Sequence, residues 1–194
     1  YRLVEERIRE VIRLWREHAV TPPPVQDPVP LWGGFQGPRG ARLAGRLGTG
    51  LLTLDRTLFD PYVAGLLEGG FPADAARMAG MFNLVLADDP EAAWPRIAPH
   101  LSYQWDSYNR YMVEGTGRPV PRPIDPDRWR TPTGDRPPRF QVLTATDAAR
   151  FLREQTAGLP VEQVYLWASI AGMPDDLVGR HVELVAGTLD PLLA

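Results

Sequence analysis

The part of the sequence most suited to chemistry is a glycine-rich stretch near the start of the chain. It reads Trp-Gly-Gly-Phe-Gln-Gly-Pro-Arg over residues 32–39. Glycine lets the backbone approach a ligand closely, and proline is favoured at the first position of a helix. The free N–H groups and the positive dipole end at a helix start favour an anion. The pattern therefore predicts either a phosphate site or an ordinary strand-to-helix turn without a ligand.

The composition argues against several other kinds of site. None of the 194 residues is cysteine, so thiolate metal sites and cysteine nucleophiles are excluded. All 21 basic residues are arginine, which excludes Schiff-base lysines and the lysine of a Walker phosphate loop. The formal net charge of −3 argues against general nucleic-acid binding. No run of 18 apolar residues is present, so we expect no membrane span and a cytoplasmic protein.

The remaining polar candidates favour structural roles. The three histidines, His18, His100 and His181, are about 80 residues apart and do not show metal-ligand spacing. His18 ends a predicted helix, where a cation is favourable, and we expect His181 to pack or cap. Asp88 and Asp89 precede a proline and read as helix-capping acids rather than as a carboxylate pair.

Apolar periodicity and turn residues predict alternating helices and strands around these residues. A loop with seven prolines interrupts the alternation over residues 115–140. Helices are predicted over 2–18, 38–47, 58–68, from 90 onward, 147–157 and 175–190. Strands are predicted over 28–32, 51–54, 79–87 and 161–170.

Alternating strands and helices imply an α/β fold of parallel βα units in a single domain over residues 1–194. Right-handed crossovers leave an open doubly wound sheet or a barrel as the two main closures. Four strands are too few for a closed barrel, which needs eight. If the fold is a barrel, half of it is therefore missing from these residues.

Residues 30–51 read PLWGGFQGPRGARLAGRLGTGL and resemble a signature of the luciferase-like monooxygenase family. Three further segments agree in order and spacing: the Glu/Arg-rich helix ending in Leu14-Trp15, the strand-to-helix junction at 85–91, and the closing segment 181–193. The series covers nearly the whole chain, from residue 2 to residue 193.

The resemblance implies the second half, about four strands, of a TIM (β/α)8 barrel. It also implies a cofactor, FMN or the deazaflavin coenzyme F420. The family transfers hydride to or from a small organic substrate or, with FMN, inserts oxygen. The family's acid/base residues belong to the other half of the barrel, upstream of Tyr1. The resemblance therefore names no catalytic residue in this chain, and the chain alone is expected to be an inactive fragment.

The resemblance places the cofactor near the glycine-rich stretch and the substrate near an aromatic helix. The predicted cofactor-binding residues are Gly33, Gly34, Phe35, Gln36, Gly37, Pro38 and Arg39. The predicted substrate pocket consists of His100, Tyr103 and Trp105. Thr49 replaces an acidic residue of the family pattern, which we interpret as a structural position. The lysine used by sugar-phosphate-specific relatives is absent after Leu52, so a sugar-phosphate substrate is not expected.

A non-catalytic half-barrel that serves as a structural or interaction module is the alternative interpretation. An open half-barrel leaves two edge strands and an apolar sheet face uncovered, which favours self-association. We therefore expect a homodimer in either case. We expect no nucleic-acid or membrane partner and no bound metal.

Overall fold

The computed structural model describes residues 1–134 and 137–193, which contain eight α-helices and six strands. Short 3₁₀ turns lie at Arg56–Leu58 and Ala73–Ala75, and a π-helical segment lies at Val185–Leu189. The α-helices are α1 (Arg2–Arg16), α2 (Pro38–Arg46), α3 (Phe59–Glu68), α4 (Pro90–Tyr111), α5 (Pro126–Trp129), α6 (Ala145–Thr156), α7 (Asp175–Leu184) and α8 (Asp190–Leu193). The strands are β1 (Trp32–Gly33), β2 (Gly50–Leu52), β3 (Met78–Met81), β4 (Leu84–Leu86), β5 (Gln141–Leu143) and β6 (Val161–Tyr165).

The chain divides into two compact units. The first contains residues 1–81 and 156–164, and the second contains residues 82–155 and the chain from residue 165 onward. The single domain expected over 1–194 includes residues 135, 136 and 194, which lie outside the described residues, and it stays a prediction. None of the helices in the described ranges is long and apolar enough to cross a membrane.

The first unit is built on a four-stranded sheet in the order β1-β2-β3-β6. β1 and β2 pair in parallel, as do β2 and β3. Leu51 and Met78 face the helices and are fully buried against residues of α2 and α3. Because the strands of each pair run the same way, the turns that follow β1 and β2 lie at one edge of the sheet.

Helices α2 and α3 pack at unusually close range because each offers a glycine at the contact. A Cβ at Gly45 would overlap the carbonyl oxygen of Tyr62, and a Cβ at Gly65 would overlap the carbonyl oxygen of Arg42. An ion pair between Arg42 and Glu68 also joins the two helices. This close packing fixes α2, and with it the start of that helix, relative to the sheet.

Tyr62 connects α3 to the beginnings of two strands. Its hydroxyl donates to the Thr49 carbonyl over 2.9 Å and accepts from the Arg77 N–H over 3.2 Å. Burial raises the pKa of the Tyr62 hydroxyl, which therefore stays protonated and able to donate. Thr49 itself is buried, and its hydroxyl donates to the Ala44 carbonyl over 3.1 Å. Thr49 thus serves the packing of α2 and β2.

The second unit pairs β4 with β5 in parallel and packs α4 against them. Asp89 caps α4 by accepting from the Ala92 N–H over 3.0 Å, as predicted. Asp88 instead holds Arg180 of α7 at 2.7 and 2.8 Å, and this ion pair lowers the pKa of Asp88. The aspartates are therefore structural. No group of metal-ligating side chains occurs in the part of the chain that the structure describes.

The structure corrects several element boundaries. The apolar run predicted as one strand over 79–87 forms two, β3 and β4, which belong to different sheets. β5 was not predicted, because three residues after a proline-rich loop carry too little periodicity to indicate a strand. The strand predicted over 161–170 ends at Tyr165. The helix predicted over 147–157 starts two residues earlier, because Thr144 caps it by accepting from the Asp147 N–H.

Candidate cofactor site at the glycine turn

The candidate site is the turn between β1 and α2, called here the glycine turn (residues 33–39). It leaves the carboxyl end of β1 and reaches α2 at Pro38, as predicted. Gly37 is the N-cap residue and has no side chain that could satisfy the helix amides. Pro38 has no N–H, and its fixed φ suits the first helical position. The nine-residue helix α2 therefore begins at one edge of the sheet, directly after the turn.

The side chain of Phe35 folds back into the turn. The Phe35 N–H donates to the Gly33 carbonyl over 3.0 Å. A Cβ built on Gly33 would lie 2.8 Å from the Phe35 ring, and one built on Gly40 would lie 2.5 Å from the Phe35 Cβ. The ring packs against the buried cluster formed by α2, α3 and the sheet. Gly33 and Gly40 are thus glycines because Phe35 occupies the space next to them.

Gly34 and Gly37 have a different environment. A Cβ on either would have no atom within 4 Å, so these two positions open outward. Neither residue has a positive φ, so no backbone strain requires glycine there. The backbone at both positions is therefore open to close approach from outside, and Gly37 is also a favoured N-cap residue.

The backbone around these open positions has unpaired donors. Within residues 1–134 and 137–193, the N–H groups of Gly34, Gln36 and Arg39 donate to no other residue. The first turn of α2 has no acidic side chain that would compete with a bound anion. Free amides and the positive end of a helix dipole are the features that hold a phosphate. The residues present therefore fit a phosphate group.

Arg39 adds a positive charge to this helix start. Its guanidinium carbon lies 5.2 Å from the centre of the Tyr1 ring, and that ring is in turn 6.2 Å from the ring of Phe35. The Arg39 side chain is exposed. A cation at this end opposes the helix dipole unless an anion lies nearby. The arrangement places one arginine next to the free amides.

A cavity of about 250 Å³ lies beside the turn, between α1 and β1. Its lining includes Ile8 and Val11 from α1 and Trp32 from β1. Of the glycine turn, Gly33 contributes to this lining. The start of the turn is therefore next to a largely apolar cavity. Gly34, Gln36 and Arg39, further along the turn, are exposed to solvent.

The residues predicted to form the substrate pocket lie on α4, in the second unit. His100 Nδ1 is 3.2 Å from the Ala171 carbonyl, and Trp105 packs edge-to-face on Trp129 with ring centres 4.9 Å apart. Tyr103 is 65% exposed. Trp105 thus packs on a neighbouring ring and His100 lies within hydrogen-bond distance of the backbone, and the substrate pocket stays a prediction.

His181 is the buried titratable group of the second unit. Its Nδ1 accepts from the Leu86 N–H over 2.9 Å, and its Nε2 lies 3.0 Å from the Trp167 carbonyl, so Nε2 carries the proton. Burial lowers the pKa of His181, outweighing the hydrogen bond to Trp167, which raises it. The neutral ring connects α7 to β4, which confirms the predicted packing role.

Sequence reasoning missed two residues that shape these regions. The amide oxygen of Gln104 accepts from the Ala171 N–H over 2.9 Å, next to the contact made by His100. The inward orientation of Phe35 was also missed, because a phenylalanine within a glycine-rich motif gives no sign of which way its ring points. The spacing of Gly33 and Gly40 around it is the one signal that could have indicated a packed ring.

Comparisons with known proteins agree with this architecture. A sequence profile described as luciferase-like monooxygenase matches residues 2–165. A search of curated proteins found no significant match.

Three solved structures show the same fold at low identity. The monooxygenase RslO1 from Streptomyces bottropensis is 19% identical with a TM-score of 0.60, over 90% of this chain and 51% of that one. The F420-dependent secondary alcohol dehydrogenase, solved with an F420-acetone adduct, is 15% identical with a TM-score of 0.54, over 89% and 50%. The long-chain alkane monooxygenase LadA is 13% identical with a TM-score of 0.54, over 89% and 44%.

The chain thus spans about half the length of the structures it matches. These relatives are TIM-barrel enzymes, and the match is that of a half barrel, which confirms the predicted α/β fold class. The profile covers most of the chain, and the structural likeness extends over nine-tenths of it. The chain belongs to the luciferase-like monooxygenase family.

Proposed function

We propose that the glycine turn binds the phosphate of FMN or of coenzyme F420, and that the complete protein is an oxidoreductase acting on a small organic molecule. The observation that carries this proposal is the pair of open glycines, Gly34 and Gly37, beside unpaired amides at the start of α2. Family membership supports the redox assignment, and an F420-dependent dehydrogenase is among the similar structures.

The residues of this chain would act on the cofactor by binding and orienting it. The amides of Gly34, Gln36 and Arg39 would donate to phosphate oxygens, and the Arg39 guanidinium would neutralise part of their charge. A bound cofactor supplies hydride transfer or, with a flavin, oxygen insertion. These residues would hold the phosphate at the edge of the sheet, near the carboxyl ends of the strands, where such barrels place their sites.

A titration with paired probes tests this proposal. FMN is compared with riboflavin, and F420 with its phosphate-free deazaflavin precursor, by following the fluorescence of each probe as the chain is added. Hydrogen bonds to a charged group contribute about 1.5–3 kcal/mol each, so the phosphate-bearing probe should bind at least about tenfold more tightly in one of the pairs. The pair that shows the difference identifies the cofactor.

Two variants locate the binding. Gly34→Ala should leave the thermal unfolding midpoint nearly unchanged, because its methyl group enters open space. Gly37→Ala should lower the midpoint slightly, because alanine is a poorer N-cap residue than glycine. Both variants should lose most of the phosphate-dependent affinity. Gly179→Ala is the matched control, since Gly179 also faces open space but lies in α7. Equal affinity for both members of both pairs, or full binding by the Gly34 and Gly37 variants, would contradict the proposal.

The edges of the four-stranded sheet favour a second candidate, a non-catalytic module that associates through them. β1 and β6 are the outermost strands of that sheet. Copies of such a module would associate with one another to the same extent whether or not a cofactor is present. A chain that self-associates yet binds none of the four probes would support the module over the enzyme.

A further inference from the structure

The ring of Phe35 is held at the centre of the glycine turn. It lies against Gly33 before it and Gly40 after it, and it packs on the buried cluster that includes Ala44 and Leu51. We infer that Phe35 is a positioning residue, whose inward-facing ring fixes the turn so that the flanking amides face the phosphate. This inference rests on the proposed function.

The contacts of Phe35 explain how one ring can set the direction of several amides. The Phe35 N–H is used within the turn, on the Gly33 carbonyl at 3.0 Å, and therefore does not face a ligand. Gly34 and Gln36 on either side are exposed and keep unpaired N–H groups. Anchoring the central residue inward thus leaves both of its neighbours facing outward.

The glycines give this anchor its importance. Gly33, Gly34 and Gly37 supply three of the seven residues of the turn. Glycine loses more conformational freedom on ordering than any other residue, so an unanchored turn would have to be ordered when the ligand binds. A turn that is ordered beforehand by a packed ring avoids that cost and binds more tightly.

Phe35 also reaches the charged residue of the site. Its ring is 6.2 Å from the ring of Tyr1, over which the Arg39 guanidinium lies at 5.2 Å. Losing the Phe35 ring would therefore free the turn and also remove a neighbour of the Tyr1 ring on which Arg39 lies. Both effects would change how the turn holds a phosphate.

Phe35→Ala and Phe35→Leu, together with the control Phe59→Ala, test this role. Phe59 is partly buried against the same cluster but lies on α3, outside the turn, so Phe59→Ala reports the cost of lost core packing alone. The measured quantity is the ratio of the dissociation constants of riboflavin and FMN, or of the corresponding deazaflavin pair. The thermal unfolding midpoint of each variant is recorded in parallel.

We expect Phe35→Ala to lower this ratio about tenfold, because ordered hydrogen bonds to a charged group are lost, while affinity for the phosphate-free probe stays within about threefold. Phe35→Leu should give an intermediate ratio, and it carries the test if the alanine variant does not fold. Phe59→Ala should keep the wild-type ratio.

An unchanged ratio in both Phe35 variants, or an equal fall in Phe59→Ala, would overturn the positioning role. A wild-type chain with a ratio of one in both pairs would instead contradict the proposed function itself. The two failures are therefore distinguishable.

Discussion

Glycine serves two different purposes within a few residues of this chain. At Gly33 and Gly40 it makes room for the Phe35 ring, whereas at Gly34 and Gly37 it leaves open space beside unpaired amides. The sequence predicts a glycine-rich strand-to-helix turn but not this division, because a glycine carries no side chain whose partner could be inferred. Which glycines are open to solvent depends on the direction of one aromatic ring.

Tyr62 allows a prediction at the scale of single residues. Phe in its place keeps the ring but leaves the Thr49 carbonyl and the Arg77 N–H without their partner. Removing a hydroxyl so that a buried partner is left unpaired costs about 1–3 kcal/mol, and the Arg77 N–H is only partly buried. We expect Tyr62→Phe to lower the free energy of unfolding in urea by about that amount. A loss below about 0.5 kcal/mol would show that water or another group satisfies both atoms.

His181 predicts a dependence of stability on pH. Burial lowers its pKa in the folded chain below the ordinary value of 6.5, so the unfolded chain binds the proton more readily. The stability due to this neutral histidine is complete above that value and falls as the pH falls below it, towards the folded pKa. Urea unfolding at pH 7.5 and at pH 5.5 should show the loss.

The matched variant for this measurement is His181→Asn. Its side-chain oxygen can still accept from the Leu86 N–H, but the group does not titrate in this range. The variant should therefore be less dependent on pH between the same two values than the wild type. A wild-type loss of stability that persists in full in His181→Asn would assign the effect to other groups.

At the scale of elements, the close contact of α2 and α3 depends on two glycines. Gly45→Ala would bring a methyl group onto the Tyr62 carbonyl, which is backbone and cannot rotate away. Overpacking of this kind costs about 3 kcal/mol. We expect that loss in urea unfolding of Gly45→Ala, measured against Gly179→Ala, which adds a methyl group in open space on α7 and should stabilise by about 0.5–1 kcal/mol. If Gly45→Ala left the free energy of unfolding unchanged, α2 and α3 would be able to move apart at no cost, which would contradict this account.

The sequence predicts the type of most helices and strands, but not always the residues at which they begin and end. The start of α2 at Pro38 and the capping of α4 by Asp89 follow from local preferences, and the structure has both. The division of the 79–87 run into β3 and β4 does not, because both halves are apolar and only their partners distinguish them. Strand pairing is a tertiary property that periodicity along one segment cannot supply.

At the scale of the whole molecule, the sheet predicts self-association. β1 and β6 are the outermost strands in the order β1-β2-β3-β6, and unpaired edges are templates for another strand. The homodimer expected from the sequence stays a prediction, as does the cytoplasmic location. Sedimentation velocity over a range of micromolar concentrations should show a dimer. A monomer at every concentration would contradict it.

The fold class and the family could be predicted from the sequence because both depend on the order of many elements and motifs. An error in the boundary of one element does not change that order. The candidate site followed only in part. The glycine turn was found from its composition, while the substrate pocket rested on aromatic residues whose contacts with Trp129 and Ala171 were not visible along the chain. Side chains that could either line a pocket or pack are not distinguished by spacing.

The most direct test of the central claim is the amide spectrum of the ¹⁵N-labelled chain during titration with FMN and F420. The account predicts that one of these cofactors shifts the N–H signals of Gly34, Gln36 and Arg39, and that its phosphate-free counterpart leaves those signals in place. Signals from these three residues that stay unmoved by both cofactors, while other parts of the chain respond, would contradict it.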